Sequence, residues 1–246
     1  MPAEAARGVG GRCLAALAAA LAVVLVCGCT TLSGPATGSR VSMTGPPDLA
    51  VLVHGMGRTP ASMVPLARHL RRAGYRVLNV GDSSYGPDVA GIGWRVAEQT
   101  TAATADAPRV HFVGHSLGGI AIRWVLANAR PANAGRVVLL APPNQGAASA
   151  DRMTRTVGWL LRPIRDLRTD PASTVRRLPA DPGVPTLVVA GARDGKGTLA
   201  EARLAGAEAL VVVPGGHTFV MRRRDVRDLV TRFLAGEALG EPAVAP

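Results

Sequence analysis

From residue 49 onward, short and nearly unbroken apolar runs alternate with longer stretches in which apolar residues recur every three or four positions. The runs are Leu49–Val53, Val77–Val80, Val110–Val113, Val137–Leu140, Thr186–Ala190 and Ala209–Val213. Four or five residues without polar alternation predict strands covered on both faces. Pro60–Ala73 predicts a helix, with Met63, Leu66 and Leu70 on one side, Arg68, Arg71 and Arg72 elsewhere, and Gly74 as the stop. Ile92–Ala103 and the stretch from Leu117 to Leu126 predict two more helices. Asp225–Ala235 predicts the last, with Val226, Leu229, Val230 and Phe233 along one face. Alternating strands and helices predict an α/β fold, a mostly parallel sheet of about six strands flanked by helices. Such sheets bind ligands beyond the carboxyl ends of their strands.

Residues 147–181 break the alternation. Trp159-Leu160-Leu161 stands there among Arg152, Arg155, Arg162, Arg165 and Arg168. The favoured expectation is an ordinary crossover helix with a solvated basic face; the alternative is a small helical insert over the site. There is no room for a large cap domain.

The amino terminus follows a different logic. Met1 to Gly28 carries Arg7 and Arg12, then an apolar run from Leu14 to Val26 that ends in Cys27-Gly28-Cys29. The run is about half the length a membrane-spanning helix needs. A short basic region, a short apolar region and small residues at a cut site describe an export signal. The ending is similar to a bacterial lipoprotein signal, which would make Cys29 the lipidated first residue after cleavage. Residues 29–47, rich in Ser, Thr, Gly and Pro, read as a tether. The expected organisation is therefore a signal at 1–28, a tether at 29–47, a folded domain at 48–238 and a tail at 239–246. The expected location is the cell envelope, periplasmic or outer face, with plain secretion as the alternative. Besides Cys29 the chain has only Cys13 and Cys27, so the cleaved form has no cysteine pair to link and its stability rests on the core.

Charge changes the picture less than its size suggests. The net charge is +11, and 27 of the 28 basic residues are arginine, a bias that a GC-rich genome also produces. Aromatic residues make up 3% of the chain and no nucleic-acid motif appears, so nucleic acid is not an expected partner. An anionic membrane or envelope surface fits better. If the insert around Trp159 docks on anionic lipid, Arg162, Arg165 and Arg168 are the residues expected to carry the attraction.

Chemistry concentrates behind the strands. Gly114-His115-Ser116-Leu117-Gly118 lies between the strand ending at Val113 and the helix that follows. A serine between two glycines at a strand-to-helix junction sits on a sharp, strained turn that projects its hydroxyl above the sheet. A serine hydroxyl needs an adjacent base. His217, in the glycine-flanked loop Pro214–Phe219 after the last strand, is the candidate. Asp194, in the turn after Thr186–Ala190, is the candidate for orienting that imidazole, giving the chain order Ser, Asp, His. The alternative for Asp194 is a carboxylate that only caps backbone N–H groups. Charge developing on a carbonyl oxygen calls for two backbone donors. Leu117, after the nucleophile, and Met56, in the loop His54–Arg58, are the candidates. His54, Gly55, His115 and Tyr85 are expected to border the substrate pocket or shape its loops, with His115 alternatively packed behind the nucleophile. His69 and His111 read as structural. No metal cluster or cofactor motif appears, and no cofactor is expected.

Over about Asp48 to Ala235 the chain resembles bacterial lipases and esterases of the α/β-hydrolase superfamily. The resemblance rests on Val53–Gly57, Val113–Gly119, Leu139–Gly146 and Gly215-Gly216-His217. It implies the α/β-hydrolase fold and hydrolysis of carboxylic esters through a serine acyl-enzyme, with the family's roles falling on Ser116, Asp194, His217, Met56 and Leu117. Relatives often carry Tyr-Pro-Ser after the second strand, where this chain has Asp82-Ser83-Ser84-Tyr85. The expected partners are a small-molecule or lipid ester and a membrane reached through the acyl anchor, with the protein a monomer. The alternatives are an envelope acyltransferase or amidase using the same three side chains, or a binding lipoprotein without activity.

Overall fold

All six apolar runs form strands: β1 (Leu49–Val53), β2 (Arg76–Asn79), β3 (Val110–His115), β4 (Ala134–Leu140), β5 (Thr186–Gly191) and β6 (Ala209–Val213). They make one sheet in the order β2-β1-β3-β4-β5-β6, with every neighbouring pair parallel. The computed structural model describes residues 46–81, 87–104, 106–195 and 197–239. These belong to one unit, Met43–Pro246. The signal, Cys29, most of the tether and Tyr85 lie outside the described residues, as does the tail beyond Leu239.

Because the central strands are covered on both sides, successive residues feed two separate cores. Val51, Val53, Phe112, Leu139 and Val188 pack with α2 (Val89–Ala103) and α3 (Leu117–Asn128). Ala50, Leu52, Val113, Leu140 and Val189 pack with α1 (Val64–Arg72) and with α8 (Arg224–Leu234). The expected helix at Pro60–Ala73 divides in two, a 3-10 turn over Pro60–Met63 followed by α1. The helix α2 begins three residues earlier than its periodicity suggests, because the Asp88 side chain caps it by accepting the N–H of Gly91 at 2.8 Å.

Residues 147–181 form the alternative, a small helical insert, rather than the favoured single crossover helix. Three short helices replace the single crossover helix: α4 (Ala148–Val157), α5 (Arg162–Asp166) and α6 (Thr174–Arg177). Gly158 and Pro163 break the run, and Ala150, Ile164 and Leu167 turn into the core. The short α7 (Leu199–Ala202), opened by a capping box of Thr198 and Glu201, completes the set.

Two of the five histidines hold the frame. His111 is fully buried in β3; its Nδ1 accepts the Arg136 N–H at 2.9 Å, so its Nε2–H donates to Asp48, 3.3 Å away. His69 lies 3.3 Å from Asp228 and links α1 to α8. Both are remote from the strand ends that carry Ser116 and His217. Among the described residues no helix is long and apolar enough to cross a membrane.

Candidate active site

The sheet order reverses at β1 and β3, where the chain leaves in opposite directions, and a crevice opens beyond such a point. Ser116 stands there, between β3 and α3, with φ 53° and ψ −121°. Its N–H donates to the Leu140 carbonyl at 2.8 Å, which pins the turn to β4. The turn closes only because its neighbours lack side chains. A Cβ at Gly118 would lie 2.4 Å from the Val53 carbonyl oxygen, and one at Gly114 would lie 2.6 Å from the Gly119 backbone. Gly118→Ala should therefore push α3 off the β1 loop. The expected cost is about 2 kcal/mol, read as a lower urea midpoint, with a parallel fall in any activity of the site.

His217 opens a 3-10 turn after β6, and Asp194 lies in the loop after β5. The two loops are bonded to each other. Ala192 N–H donates to Val213 and Arg193 N–H to Gly215, each at 2.9 Å. This lacing sets the carboxylate against the ring, with Asp194 Oδ2 at 2.8 Å from His217 Nδ1 and His217 Nε2 at 2.8 Å from Ser116 Oγ. The other Asp194 oxygen accepts the Gly197 N–H at 3.0 Å. A carboxylate only accepts, so Nδ1 carries the ring proton and the Nε2 lone pair faces the serine hydroxyl. That is the protonation state in which an imidazole removes a proton.

His115 stands behind this chain. It is 2% exposed, and its Nε2–H donates to the His217 carbonyl at 2.9 Å. Among the described residues its Nδ1 has no partner; it faces Gly55, where a Cβ would come within 2.7 Å. Burial, then the neighbouring charge of His217, lower its pKa to about 3, so the ring is neutral in the folded protein.

Above Ser116 and His217 lies a cavity of about 320 Å³. Its walls are mostly apolar. Met56 and Pro142 come from loops after β1 and β4, and Met153, Leu161, Ile164 and Leu167 come from the α4–α5 region. The insert thus walls the site, which its sequence alone did not establish. Ser116 and Ala141 are the only non-glycine residues with positive φ among the described residues, and both face this cavity. Backbone strain of this kind collects at functional sites.

The expected residues separate clearly. Ser116, Asp194 and His217 come together. Met56 lies in the cavity wall, and Leu117 is the first residue of α3, where its N–H has no intrahelical acceptor. His54, Gly55 and His115 do not line the cavity, against the pocket expectation. His54 is 5% exposed, with its Nδ1 3.0 Å from the Gly55 carbonyl, and His115 is 2% exposed, packed behind the Ser116–His217 pair. Sequence reasoning also missed Pro142, Ala150, Met153, Leu161, Ile164 and Leu167 as cavity residues. Among the described residues, no group of three or more His, Cys, Asp or Glu side chains is placed to hold a metal ion.

A model of the alpha/beta hydrolase family matches residues 50–179, just over half of the chain. The chain belongs to the alpha/beta hydrolase family. The match takes in Ser116 and the Met56 loop and ends before β5, so it does not reach Asp194 or His217. Alpha/beta hydrolases also stand among the solved structures it resembles. The mature lipase BlEst2 of Bacillus licheniformis superposes with a TM-score of 0.60 at 18% identity, over 77% of this chain and 92% of that one. A hydrolase of Pseudomonas aeruginosa gives 0.56 at 21% identity, over 77% and 90%. An esterase of Pyrococcus furiosus gives 0.59 at 16% identity, over 78% and 83%. At these identities the likeness is one of fold. No curated protein matches the sequence.

Proposed function

We propose that this alpha/beta hydrolase cleaves carboxylic esters through an acyl-enzyme on Ser116. The observation that carries the reading is the hydrogen-bonded chain Ser116–His217–Asp194 on the floor of an apolar cavity. In the first half-reaction Ser116 Oγ bonds to the ester carbonyl carbon while its proton passes to His217 Nε2. Asp194 stabilises the imidazolium that results. The N–H groups of Leu117 and Met56 are the proposed donors to the oxyanion, where loss of one donor costs about 3 kcal/mol. The C–O bond to the alcohol then breaks and the departing oxygen takes the proton from His217. In the second half-reaction water attacks the acyl carbon, His217 again removes the proton, and the bond to Oγ breaks to release the acid and restore the serine.

The apolar walls from Pro142 to Leu167 suit an acyl chain rather than a charged group. The cavity stands at the small end of ligand pockets, which favours short or medium acyl chains. We place the protein at the cell envelope, exported by residues 1–28 and held by lipid on Cys29.

A fluorophosphonate probe together with p-nitrophenyl esters of graded length tests the reading. One equivalent of probe is expected on Ser116, and kcat/KM is expected to peak between butyrate and octanoate. Failure of both labelling and turnover would remove the hydrolytic assignment. Labelling with turnover only in the presence of an acceptor alcohol would turn it into acyl transfer.

A further inference from the structure

We infer that the α4–α5 turn docks the folded domain on an anionic phospholipid bilayer, with the mouth of the cavity facing the lipid. This rests on the ester-hydrolase reading only for its purpose; the surface itself is seen independently. Three of the five large apolar side chains most exposed among the described residues lie within eight positions: Met153 at 41%, Trp159 at 74% and Leu160 at 58%. Trp159 and Leu160 form the turn between α4 and α5, and Met153 and Leu161 beside them also line the cavity. An apolar path therefore runs from the exposed tip into the site.

The charge around this tip is predominantly basic. Arg152, Arg155, Arg162 and Arg165 are all exposed, and among the described residues none of them has a carboxylate partner. The acidic residues of the same segment are engaged by other groups. Asp151 accepts from the N–H and hydroxyl of Thr169, and Asp166 accepts from the Val89 N–H and the Thr174 hydroxyl. Asp170 is taken by Arg168 at 3.0 Å. An exposed tryptophan and leucine ringed by four unneutralised arginines match the two layers of an anionic membrane surface. The rings enter the acyl boundary and the guanidinium groups meet the phosphates.

The test uses the full chain with vesicles of phosphatidylglycerol and brominated phosphatidylcholine in a 3:7 ratio, and vesicles of brominated phosphatidylcholine alone. Bromine quenches tryptophan only on close approach, so the signal reports docking even when residues 1–45 also hold the chain to the membrane. Quenching is expected with the anionic vesicles, weak without phosphatidylglycerol, and reduced by salt. Its absence in Trp159→Phe assigns it to that residue. Each basic residue at such a surface strengthens binding about fivefold. Exchanging Arg152, Arg155, Arg162 and Arg165 for Gln should therefore weaken the vesicle dependence of quenching by about 600-fold. Hydrolysis of soluble p-nitrophenyl butyrate, assayed alongside, should be unchanged by the four exchanges.

Cosedimentation of the chain without quenching of Trp159 would overturn the proposal, leaving the amino terminus as the only contact. So would equal quenching on neutral vesicles, or no binding to either kind. A chain that docks yet hydrolyses no ester would overturn the functional reading and leave the docking surface standing.

Discussion

Ser116→Ala is expected to lower kcat for p-nitrophenyl butyrate by about 10⁵-fold with the urea midpoint little changed. In the proposed mechanism the alcohol oxygen is the atom that bonds to the substrate, and it lies 2.8 Å from His217 Nε2. By that mechanism its loss leaves His217 no hydroxyl to deprotonate and Asp194 no imidazolium to stabilise, so losing the serine should cost nearly as much as losing all three. Residual activity of roughly 10³-fold over water is expected from the oxyanion donors and substrate positioning alone. Turnover within tenfold of the unmodified protein would place the nucleophile elsewhere.

A second replacement at the same position separates chemistry from strain. At φ 53° and ψ −121°, Ser116 occupies backbone space that glycine tolerates and other residues do not. Residues held there cost about 1–3 kcal/mol. Ser116→Gly releases that cost and gives back part of it through the greater freedom of the unfolded chain. The glycine variant should therefore be as inactive as the alanine variant and more stable than it by about 1 kcal/mol, measured by urea unfolding. Equal midpoints would mean that the turn is not strained.

The difference between what the sequence disclosed and what it concealed follows from the range of the interactions. Strand positions were legible because burial on both faces forces uninterrupted apolar runs, a local signal; all six runs became strands. The serine turn was legible because its glycines answer a contact only a few residues away on one side, β3 against α3. The insert was not. Its apolar residues face a cavity built from five other segments, and nothing in Trp159-Leu160-Leu161 distinguishes Leu161, turned inward, from Trp159, turned outward. The α2 start was missed because Asp88 caps through its side chain, ahead of any apolar periodicity. The pocket expectation for His54 and His115 failed for a related reason. Adjacency to Met56 and Ser116 in the chain put them near the site, while both are buried off its cavity, His54 against the Gly55 carbonyl and His115, as in its alternative reading, packed behind the nucleophile. Histidine type alone did not tell a base from a brace.

His115 as that brace leads to the last expected result: acid should destabilise this protein partly through a residue that never touches substrate. Free histidine in the unfolded chain takes a proton near pH 6.5. In the folded protein burial, and then the charge of His217 facing it at a ring separation of 5.2 Å, hold its pKa at about 3. Arg58 adds to that lowering, while the His217 carbonyl and Asp194 oppose it. Between these two values the unfolded state binds the extra proton, so stability is whole above pH 6.5 and drains away as the pH falls toward 3. Two pH units below 6.5 the loss is about 2.7 kcal/mol from this one ring. His115→Asn has no ring to protonate. It should be the less stable protein at pH 8, where it loses the bond to the His217 carbonyl and part of the packing. The gap should close by about 2.7 kcal/mol at pH 4.5. Buried His111, whose pKa is also lowered by burial, is common to both proteins and cancels in the comparison. Urea unfolding of the two at pH 8 and pH 4.5 measures the change directly. A gap that stays constant would mean that His115 already protonates within the fold, and that the His217 loop is held by other bonds.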